Sequence, residues 1–376
     1  MKILFTGGGT GGHFYPIIAV AEAVQDLVHE KRLLEPELYY AAPDPYDRDM
    51  LTANAITFVP ASAGKLRRYF SIGNFFDLFK TGWGITRSVV RIFFLYPDVV
   101  FGKGGYTSFP TLLAARMFRI PVVIHESDAV PGRVNKWAGK FAEKIAVSFE
   151  EAAAYFPKER VVFTGNPVRS SIQHPEPEGA YEFLKLEREV PIILVLGGSQ
   201  GATALNEAVL AALPQLVEKY QVVHQTGRAN IDDMTGRANI VLKNSPHQER
   251  YKPFGYLDDL AMRMSAGAAS LIISRAGSTI FEIAVWGLPS IVVPLPSAAE
   301  DHQTKNAFAY ARTGAAVVIE QNNLTAGILV SEASRIIDDP KLAQTMGAAA
   351  KRFAHNDAAR AIAEILIDIA LTHEKS

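Results

Sequence analysis

The stretch Lys2-Ile3-Leu4-Phe5-Thr6-Gly7-Gly8-Gly9-Thr10-Gly11-Gly12-His13 decides the fold class of this chain. A short apolar run predicts a strand, and the glycines after it predict a tight turn. The residues that follow fit a helix, with Pro16 near its first turn, where the missing N–H costs little. Its apolar face is formed by Ile17, Val20, Ala21, Val24 and Leu27. Strand, glycine turn and helix in this order are typical of a Rossmann-like α/β unit.

The same pattern continues through the chain and restarts in the second half. Segment 192–196 is again fully apolar and enters Gly197-Gly198-Ser199-Gln200-Gly201. Short β-branched runs alternate with helical patterns, which favours parallel βαβ construction. The other predicted strands are 38–41, 98–101 and 121–125 in the first half, and 221–224, 270–274, 290–293 and 316–319 in the second.

A chain of 376 residues is long enough for two such domains. We therefore predict an α/β protein of two Rossmann-like domains whose parallel sheets face a cleft, where open α/β sheets bind ligands. The predicted boundaries are 1–166 for the first domain and 167–345 for the second. Helices in 346–376 are predicted to pack back toward the first domain.

Composition excludes several classes of function. The net charge is −1, so no global basic field indicates a nucleic-acid partner. The absence of cysteine excludes disulfides and thiol chemistry. Segment 1–5 leaves no room for the apolar core of a signal peptide, and the apolar segment 89–96 contains Arg91 and is far too short to span a bilayer. A cytoplasmic protein is expected.

His13 is the first candidate functional residue because it lies where the first predicted helix begins. Glycines allow a close approach to a ligand, and a helix N-terminus attracts anions. The spacing of Gly7, Gly9 and Gly12 also fits a dinucleotide-binding turn, with Asp44 as a ribose partner. A dinucleotide-dependent Rossmann enzyme is therefore the alternative.

Polar groups also follow the strands of the second half. Arg275-Ala276-Gly277-Ser278-Thr279 leads into a helix carrying Glu282, a pattern that suits a diphosphate and a ribose diol. Asp301-His302-Gln303 opens another helix. No HExxH, spaced aspartate pair or Walker lysine is present, so we expect neither a metal nor a cofactor. Asp258-Asp259 fits a helix N-cap.

Eight motifs in order resemble one family, the UDP-N-acetylglucosamine:N-acetylmuramyl-(pentapeptide)-pyrophosphoryl-undecaprenol transferases. The resemblance covers nearly the whole chain. The motifs are the two glycine turns with His13 and Ala202, Gly104-Gly105-Tyr106, His125-Glu126, Asn135-Lys136, Thr164-Gly165-Asn166-Pro167-Val168-Arg169, Ser274-Arg275-Ala276-Gly277 and Asp301-His302-Gln303.

The resemblance implies a glycosyltransferase-B fold, with the lipid acceptor held by the first domain and the nucleotide by the second. It implies that Thr10, Gly11 and Gly12 approach phosphates. The UDP-sugar would be contacted by Arg169 and Ser199, by Leu257 through its backbone to uracil, by Ser278, Thr279, Ile280, Phe281 and Glu282 at diphosphate and ribose, and by Gln303 at the sugar hydroxyls.

Three departures from the family pattern affect these assignments. The chain has His125-Glu126-Ser127-Asp128 where the family has His-Glu-Gln-Asn, so a donor contact made by an amide would fall to Asp128. Segment 277–282 is one residue shorter than the family pattern, and the loop Ser297-Ala298-Ala299-Glu300 has no detailed match.

The implied reaction moves N-acetylglucosamine from UDP-N-acetylglucosamine to the C4 hydroxyl of an undecaprenyl-linked muramyl-peptide, with inversion. One in-line displacement needs one base. His13 is the first candidate and Glu126 the alternative. A UDP-N-acetylglucosamine epimerase and a non-catalytic nucleotide-binding module remain open alternatives.

A lipid-linked acceptor also implies an anionic membrane surface as partner, with the protein peripheral on the inner face of the cell membrane. The candidate contact is Lys65-Leu66-Arg67-Arg68-Tyr69-Phe70, followed by Phe75, Phe76, Phe79 and Trp83. Aromatic rings beside basic residues suit the headgroup boundary. The alternative is that the aromatic side chains belong to the core of the first domain.

Overall fold

The computed structural model describes residues 1–61, 72–198 and 201–373, with the backbone alone for 72–81 and 299. The chain divides into two compact units. The first combines Met1–Arg169 with His355–Ser376, and the second is Ser170–Ala354. Both units are α/β, which confirms the predicted fold class.

The described part of the first unit contains a seven-stranded, wholly parallel sheet of order β3-β2-β1-β4-β5-β6-β7. Its strands are β1 Lys2–Thr6, β2 Glu37–Ala42, β3 Ile56–Pro60, β4 Val99–Gly102, β5 Val122–Glu126, β6 Lys144–Val147 and β7 Val161–Phe163. The helices of this segment are α1 Gly11–Glu30, α2 Arg48–Ala53, α3 Ile72–Leu95, α4 Phe109–Met117, α5 Arg133–Ala138 and α6 Glu150–Ala153.

The described part of the second unit contains a six-stranded parallel sheet of order β10-β9-β8-β11-β12-β13. Its strands are β8 Ile192–Leu196, β9 Gln221–Gln225, β10 Tyr251–Phe254, β11 Leu271–Ser274, β12 Ser290–Val292 and β13 Ala316–Val318. Its helices are α7 Ser170–Gln173, α8 Ala180–Leu184, α9 Thr203–Lys219, α10 Ile231–Val241, α11 Asp259–Ala268, α12 Thr279–Trp286, α13 His302–Arg312, α14 Ala326–Ile337 and α15 Pro340–Phe353.

The last helix, α16 Ala358–His373, belongs to the first unit. Its apolar face is buried in the same core as α1 and β1, through Ile362, Leu366 and Ile367. The unit boundary falls between α15 and α16, so residues 346–354 belong to the second unit rather than to the returning segment. The physical reason is the side-chain packing of α15, in which Met346 is buried in the second unit's core.

Both sheets are covered by helices, which explains why their central strands read as continuous apolar runs. On one face of the first sheet, α1 and α16 bury their apolar stripes; on the other, Ile92 of α3, Leu112 of α4 and Ala138 of α5 form a second core. No helix within the described residues is long and apolar enough to cross a membrane.

Candidate functional site

Thr10 and His13 form a hydrogen-bonded pair at the start of α1. Thr10 is the N-cap residue with extended φ and ψ of −152° and 157°, yet its side chain makes no capping hydrogen bond. Its Oγ1 instead lies 2.9 Å from Nδ1 of His13. An N-cap threonine ordinarily accepts a backbone N–H of the first turn. Here the hydroxyl orients an imidazole, and the first N–H groups of α1, those of Gly11 and Gly12, have no carbonyl one turn earlier to accept them.

The other imidazole nitrogen, Nε2, points toward the turn after β4. A Cβ built on Gly105 would lie 3.5 Å from Nε2 of His13. Gly105 has φ of +79° and Gly104 has φ of +90°, both in the region that favours glycine. Gly105 thus adds no side chain beside Nε2, whereas Gly104 makes room for Asn135, whose Nδ2 would lie 2.8 Å from a Cβ at position 104. A reacting hydroxyl could approach Nε2 from the side of Gly105.

Glu126 ends β5 as a buried carboxylate with three N–H donors. Its Oε1 accepts the backbone N–H of Asp128 at 3.0 Å. Its Oε2 accepts the backbone N–H of Gly132 at 3.0 Å and the side-chain amide of Asn135, from Nδ2, at 2.9 Å. Burial raises the pKa of Glu126, with the nearby Asp128 carboxylate adding to the rise. Its hydrogen bonds fix the loop between β5 and α5.

His125, beside it, is fully buried on β5. Its Nε2 lies 3.0 Å from the carbonyl oxygen of Gly165 and 3.2 Å from Oγ of Ser148. Burial, followed by the charge of Lys103, lowers the pKa of His125 well below its usual value. A neutral, internally bonded imidazole here is part of the core.

Lys103 is a buried cation for which the sequence predicts no role. It is 2% exposed, directly follows β4 and donates from Nζ to Oγ of Ser127. Burial lowers its pKa, while the carboxylates of Glu126 and Asp128 act in the opposite direction. The available signal in the sequence was a lysine directly after an apolar strand and before two glycines.

Arg169 lies in the first unit and is 6% exposed. Its guanidinium carbon lies 4.0 Å from the centre of the Tyr15 ring on α1.

Asp128 is half-buried on the loop that the hydrogen bonds of Glu126 hold in place. The structure therefore brings Thr10, His13, Glu126 and Asp128 to the carboxyl edge of one sheet, with Arg169 stacked on the helix that starts there.

The second glycine turn folds onto the end of β9. A Cβ on Gly201, whose φ is +76°, would come within 2.3 Å of the carbonyl oxygen of Thr226, so this position requires glycine. The Thr226 carbonyl is also bonded by the side-chain amides of Asn206 and Asn230, at 2.9 and 3.0 Å. Ser199 lies outside the described residues.

Leu257 is positioned by an amide that sequence reasoning missed. Its backbone N–H donates to Oε1 of Gln225, the last residue of β9, at 3.1 Å. Asp258 is the N-cap of α11 and accepts the N–H of Ala261 at 2.9 Å, as predicted for Asp258-Asp259. A nucleobase that binds the Leu257 backbone would have to replace Gln225 as the acceptor of the Leu257 N–H, or donate to the Leu257 carbonyl oxygen.

The segment 278–282 forms the first turn of α12. Ser278 is the N-cap residue and makes no side-chain capping bond, so Glu282 is not part of a capping box. Ile280 and Phe281 have buried side chains, and Phe281 stacks on Phe353 with ring centroids 5.6 Å apart. Those two residues can therefore reach a ligand only through the backbone, where their N–H groups already donate to the carbonyl oxygens of Gly277 and Ser278, at 3.3 and 3.1 Å. Ser278, Thr279 and Glu282 are only half-buried.

Gln303 and Arg275 stabilise the ends of the neighbouring strands. Gln303 accepts the Leu295 N–H through Oε1 at 2.9 Å. Arg275 donates to the Val293 carbonyl at 3.1 Å and to Oε1 of Gln321 at 2.8 Å. Burial lowers the pKa of Arg275. In this arrangement the guanidinium is occupied by uncharged acceptors.

Among the described residues, no group of three or more His, Asp or Glu side chains is placed to hold a metal ion. At one sheet the arrangement offers a helix N-terminus, a hydrogen-bonded histidine, a buried glutamate and a half-buried aspartate. At the other it offers amides and a helix N-terminus. Such parts suit transfer chemistry on a nucleotide-linked group. The fold and these residues define an α/β transferase built from two Rossmann-like units.

The chain belongs to glycosyltransferase family 28. Residues 3–147 match the model of the glycosyltransferase family 28 N-terminal domain, and residues 192–362 match that of its C-terminal domain. A relative from Bacillus anthracis is 37% identical over 337 residues, covering 89% of this chain and 91% of the relative. It is named UDP-N-acetylglucosamine--N-acetylmuramyl-(pentapeptide) pyrophosphoryl-undecaprenol N-acetylglucosamine transferase 2. A transferase named for the same reaction in Treponema denticola is 38% identical, covering 84% of this chain and 83% of its own.

Solved structures agree with this assignment. The crystal structure of Acinetobacter baumannii MurG matches with a TM-score of 0.70 and 25% identity, covering 98% of this chain and 99% of that one. A putative UDP-N-acetylglucosamine 2-epimerase from Listeria monocytogenes has a TM-score of 0.71 at 17% identity, a likeness of fold alone. The predicted family and glycosyltransferase class are confirmed, and the dinucleotide-dependent alternative is not supported.

Proposed function

We propose that this protein transfers N-acetylglucosamine from UDP-N-acetylglucosamine to the C4 hydroxyl of undecaprenyl-pyrophosphoryl-N-acetylmuramyl-pentapeptide, in peptidoglycan synthesis. The named relatives support this reaction over the epimerase alternative. The observation that carries the catalytic assignment is the pairing of Thr10 Oγ1 with His13 Nδ1 at 2.9 Å.

His13 is the general base in this proposal. With its Nδ1–H donating to Thr10 Oγ1, the imidazole keeps the Nε2 lone pair for the acceptor hydroxyl. As the C4 oxygen bonds to the anomeric carbon, the bond from that carbon to the UDP oxygen breaks. The hydroxyl proton goes to Nε2, and the electron pair of the broken bond goes to the UDP phosphate. One displacement inverts the anomeric centre.

Glu126 is the weaker candidate for the base. Oε1 of this carboxylate, which is 4% exposed, already accepts one N–H donor and Oε2 accepts two, so a proton on either oxygen would compete with at least one of these bonds. We assign it an anchoring role for the loop that carries Asp128. Asp128 and Arg169 are the proposed contacts from the first unit to the donor sugar and phosphates.

The acceptor phosphates would meet Thr10, Gly11 and Gly12, where the N-terminus of α1 offers backbone donors. In the second unit, Leu257 would bind uracil through its backbone. The diphosphate would contact the side chains of Ser278 and Thr279 and the backbone of the two residues that follow, Ile280 and Phe281. The ribose diol would hydrogen-bond to Glu282. Gln303 would meet sugar hydroxyls after exchanging its bond to Leu295, and Ser199 is proposed from the resemblance alone.

The reaction is tested by UDP release from UDP-N-acetylglucosamine with and without the lipid-linked muramyl acceptor. Transfer predicts release that depends on the acceptor and a disaccharide product with inverted configuration. An epimerase would convert the donor without acceptor. A binding module would bind UDP and release nothing.

We also propose that the protein works at the inner face of the membrane and contacts anionic lipid. Residues 65–70 of the candidate stretch lie outside the described residues, and so do the side chains of Phe75, Phe76 and Phe79. Farther along α3, Trp83, Arg87, Val90 and Phe94 recur at helical spacing and are all exposed. Trp83 is 63% and Phe94 80% exposed. An exposed apolar stripe with a cation suits the headgroup boundary.

Replacing Trp83 and Phe94 together by serine tests the membrane contact. We expect binding to anionic liposomes to weaken roughly tenfold, since about 1–2 kcal/mol of apolar burial is lost. Leu34→Ser is the matched control, because Leu34 is 87% exposed in the same unit. Activity on a short, water-soluble acceptor should remain. If the double variant sediments with anionic liposomes as well as the parent does, this surface is not the membrane contact.

A further inference from the structure

Lys103 is a buried charged residue, and burying an ammonium group costs folding free energy unless the group is paired. Its Cβ packs against Gly7, since a Cβ built on Gly7 would lie 2.8 Å from it. Its backbone N–H donates to the Thr6 carbonyl at 2.8 Å, and its Nζ donates to Ser127 Oγ. The side chain therefore runs beneath the first glycine turn, from the end of β1 to the loop after β5. Lysine is almost never fully buried unless it is paired.

Two carboxylates, those of Glu126 and Asp128, supply the opposite charge. They differ in their surroundings. Glu126 is 4% exposed and accepts three N–H donors. Asp128 is half-buried, and it follows Ser127, the residue to which Lys103 donates. With both acids ionised the trio carries one excess negative charge, whereas without Lys103 it would carry two.

We propose that Lys103 is a positioning residue for Asp128: its ammonium balances the second carboxylate and holds Ser127 under the glycine turn. Asp128, the next residue along the loop, is then held where its side chain can accept hydrogen bonds from sugar hydroxyls. This inference rests on the proposed function. The alternative is that Lys103 binds a substrate phosphate directly. The 2% exposure and the Ser127 bond weigh against that alternative.

A double-variant cycle tests this role. Lys103→Met removes the charge from a side chain of similar length, and we expect the KM for UDP-N-acetylglucosamine to rise roughly tenfold, the scale of a lost charged hydrogen bond. Binding of UDP alone should not change, because UDP lacks the sugar. Combined with Asp128→Asn, which restores one excess negative charge, Lys103→Met should alter the KM less than twofold relative to Asp128→Asn alone. Lys140→Met is the control, because Lys140 is exposed in the same unit.

A tenfold rise in both backgrounds would overturn the proposal and favour direct substrate contact. If Lys103→Met does not fold, Ser127→Ala with and without Asp128→Asn replaces it, since it removes the Nζ acceptor and keeps every charge. A KM increase confined to the Asp128 background supports the proposal, and equal effects in both backgrounds overturn it. A parent protein that releases no UDP with acceptor would instead contradict the proposed function.

Discussion

The two units carry the same architecture but different buried polar groups. In the first, charged groups are buried at the sheet's carboxyl edge: Lys103, Glu126 and Arg169. Among the described residues of the second, the buried polar side chains are amides, hydroxyls and one histidine. Gln225 is the last residue of β9, and Asn206 lies on α9, the helix that follows the glycine turn. Charges buried near one another can set protonation states, whereas neutral amides fix geometry without doing so.

This contrast supports the proposed division of roles between the two units. We expect variants in the first unit to change turnover and its protonation, and variants in the second to change nucleotide affinity. His224 shows the same contrast for one residue type. It lies between Tyr251 and Asn206 in the second unit, while His13 stands beside a threonine at an open helix start.

The largest effect is expected at His13. His13→Ala should lower kcat by roughly 10²- to 10⁴-fold, the usual contribution of a general base, while the Kd for UDP stays the same. Steady-state kinetics and calorimetry measure the two quantities. His29→Ala, at the exposed end of the same helix, is the control. Unchanged turnover in His13→Ala would move the base to Glu126.

Glu282→Ala should weaken UDP binding by roughly 10- to 100-fold, because hydrogen bonds to a charged group contribute about 1.5–3 kcal/mol. Other nucleoside diphosphates should lose as much, since the ribose diol is common to them. Isothermal calorimetry with UDP, ADP and GDP checks this. Glu249→Ala, whose side chain is 94% exposed, is the control. A loss seen only with the sugar-bearing donor would show that segment 278–282 is out of register.

Thr10→Val should lower kcat about tenfold, because the isosteric side chain leaves Nδ1 of His13 without its partner. Thr10→Ser keeps the hydroxyl and should retain most of the activity. The Kd for UDP should be the same in both, which separates this effect from the second unit. If Thr10→Val and Thr10→Ser behave alike, the hydroxyl does not orient the base.

The smallest effect concerns stability. Burial lowers the pKa of His224 to about 3 from the usual 6.5, so between these values the unfolded chain binds a proton that the folded chain does not. The free energy of unfolding should therefore decrease as the pH is lowered, by about 1 kcal/mol between pH 6.5 and pH 5.5. Urea unfolding at both pH values, compared with His224→Asn, measures this contribution. His174→Asn, an exposed change in the same unit, should keep the parent's slope, and an equal slope in His224→Asn would contradict the assignment.

The central strands of both sheets were predictable because burial on two faces demands continuous apolar runs. Segment 192–196 was placed without error as β8. The strands β3, β6, β7 and β10 were missed, and three of them flank the sheets where polar residues such as Thr57 and Lys252 are tolerated. Short flanking strands carry too little periodicity to be separated from loops.

The candidate site divides in the same way. The sequence predicts the glycine turns, His13 and Glu282 as site residues because their residue types and spacing carry chemistry that does not depend on distant contacts. It predicts nothing for Lys103 and Gln225, because their hydrogen-bond partners lie far along the chain: Ser127 for the lysine and Leu257 for the amide. Parallel crossovers bring such residues together at one sheet edge.

The α/β class, the repeat of strand, glycine turn and helix, and the family could be read from the sequence alone, since these depend on local patterns of apolar residues and glycines. Only the tertiary structure decided that the Thr10 hydroxyl serves His13 rather than the helix backbone, and that Glu126 is occupied by three donors. It also decided that Lys103 is buried. Hydrogen-bond partners and burial depend on which strand ends are adjacent, and parallel pairing of segments distant in sequence sets that adjacency.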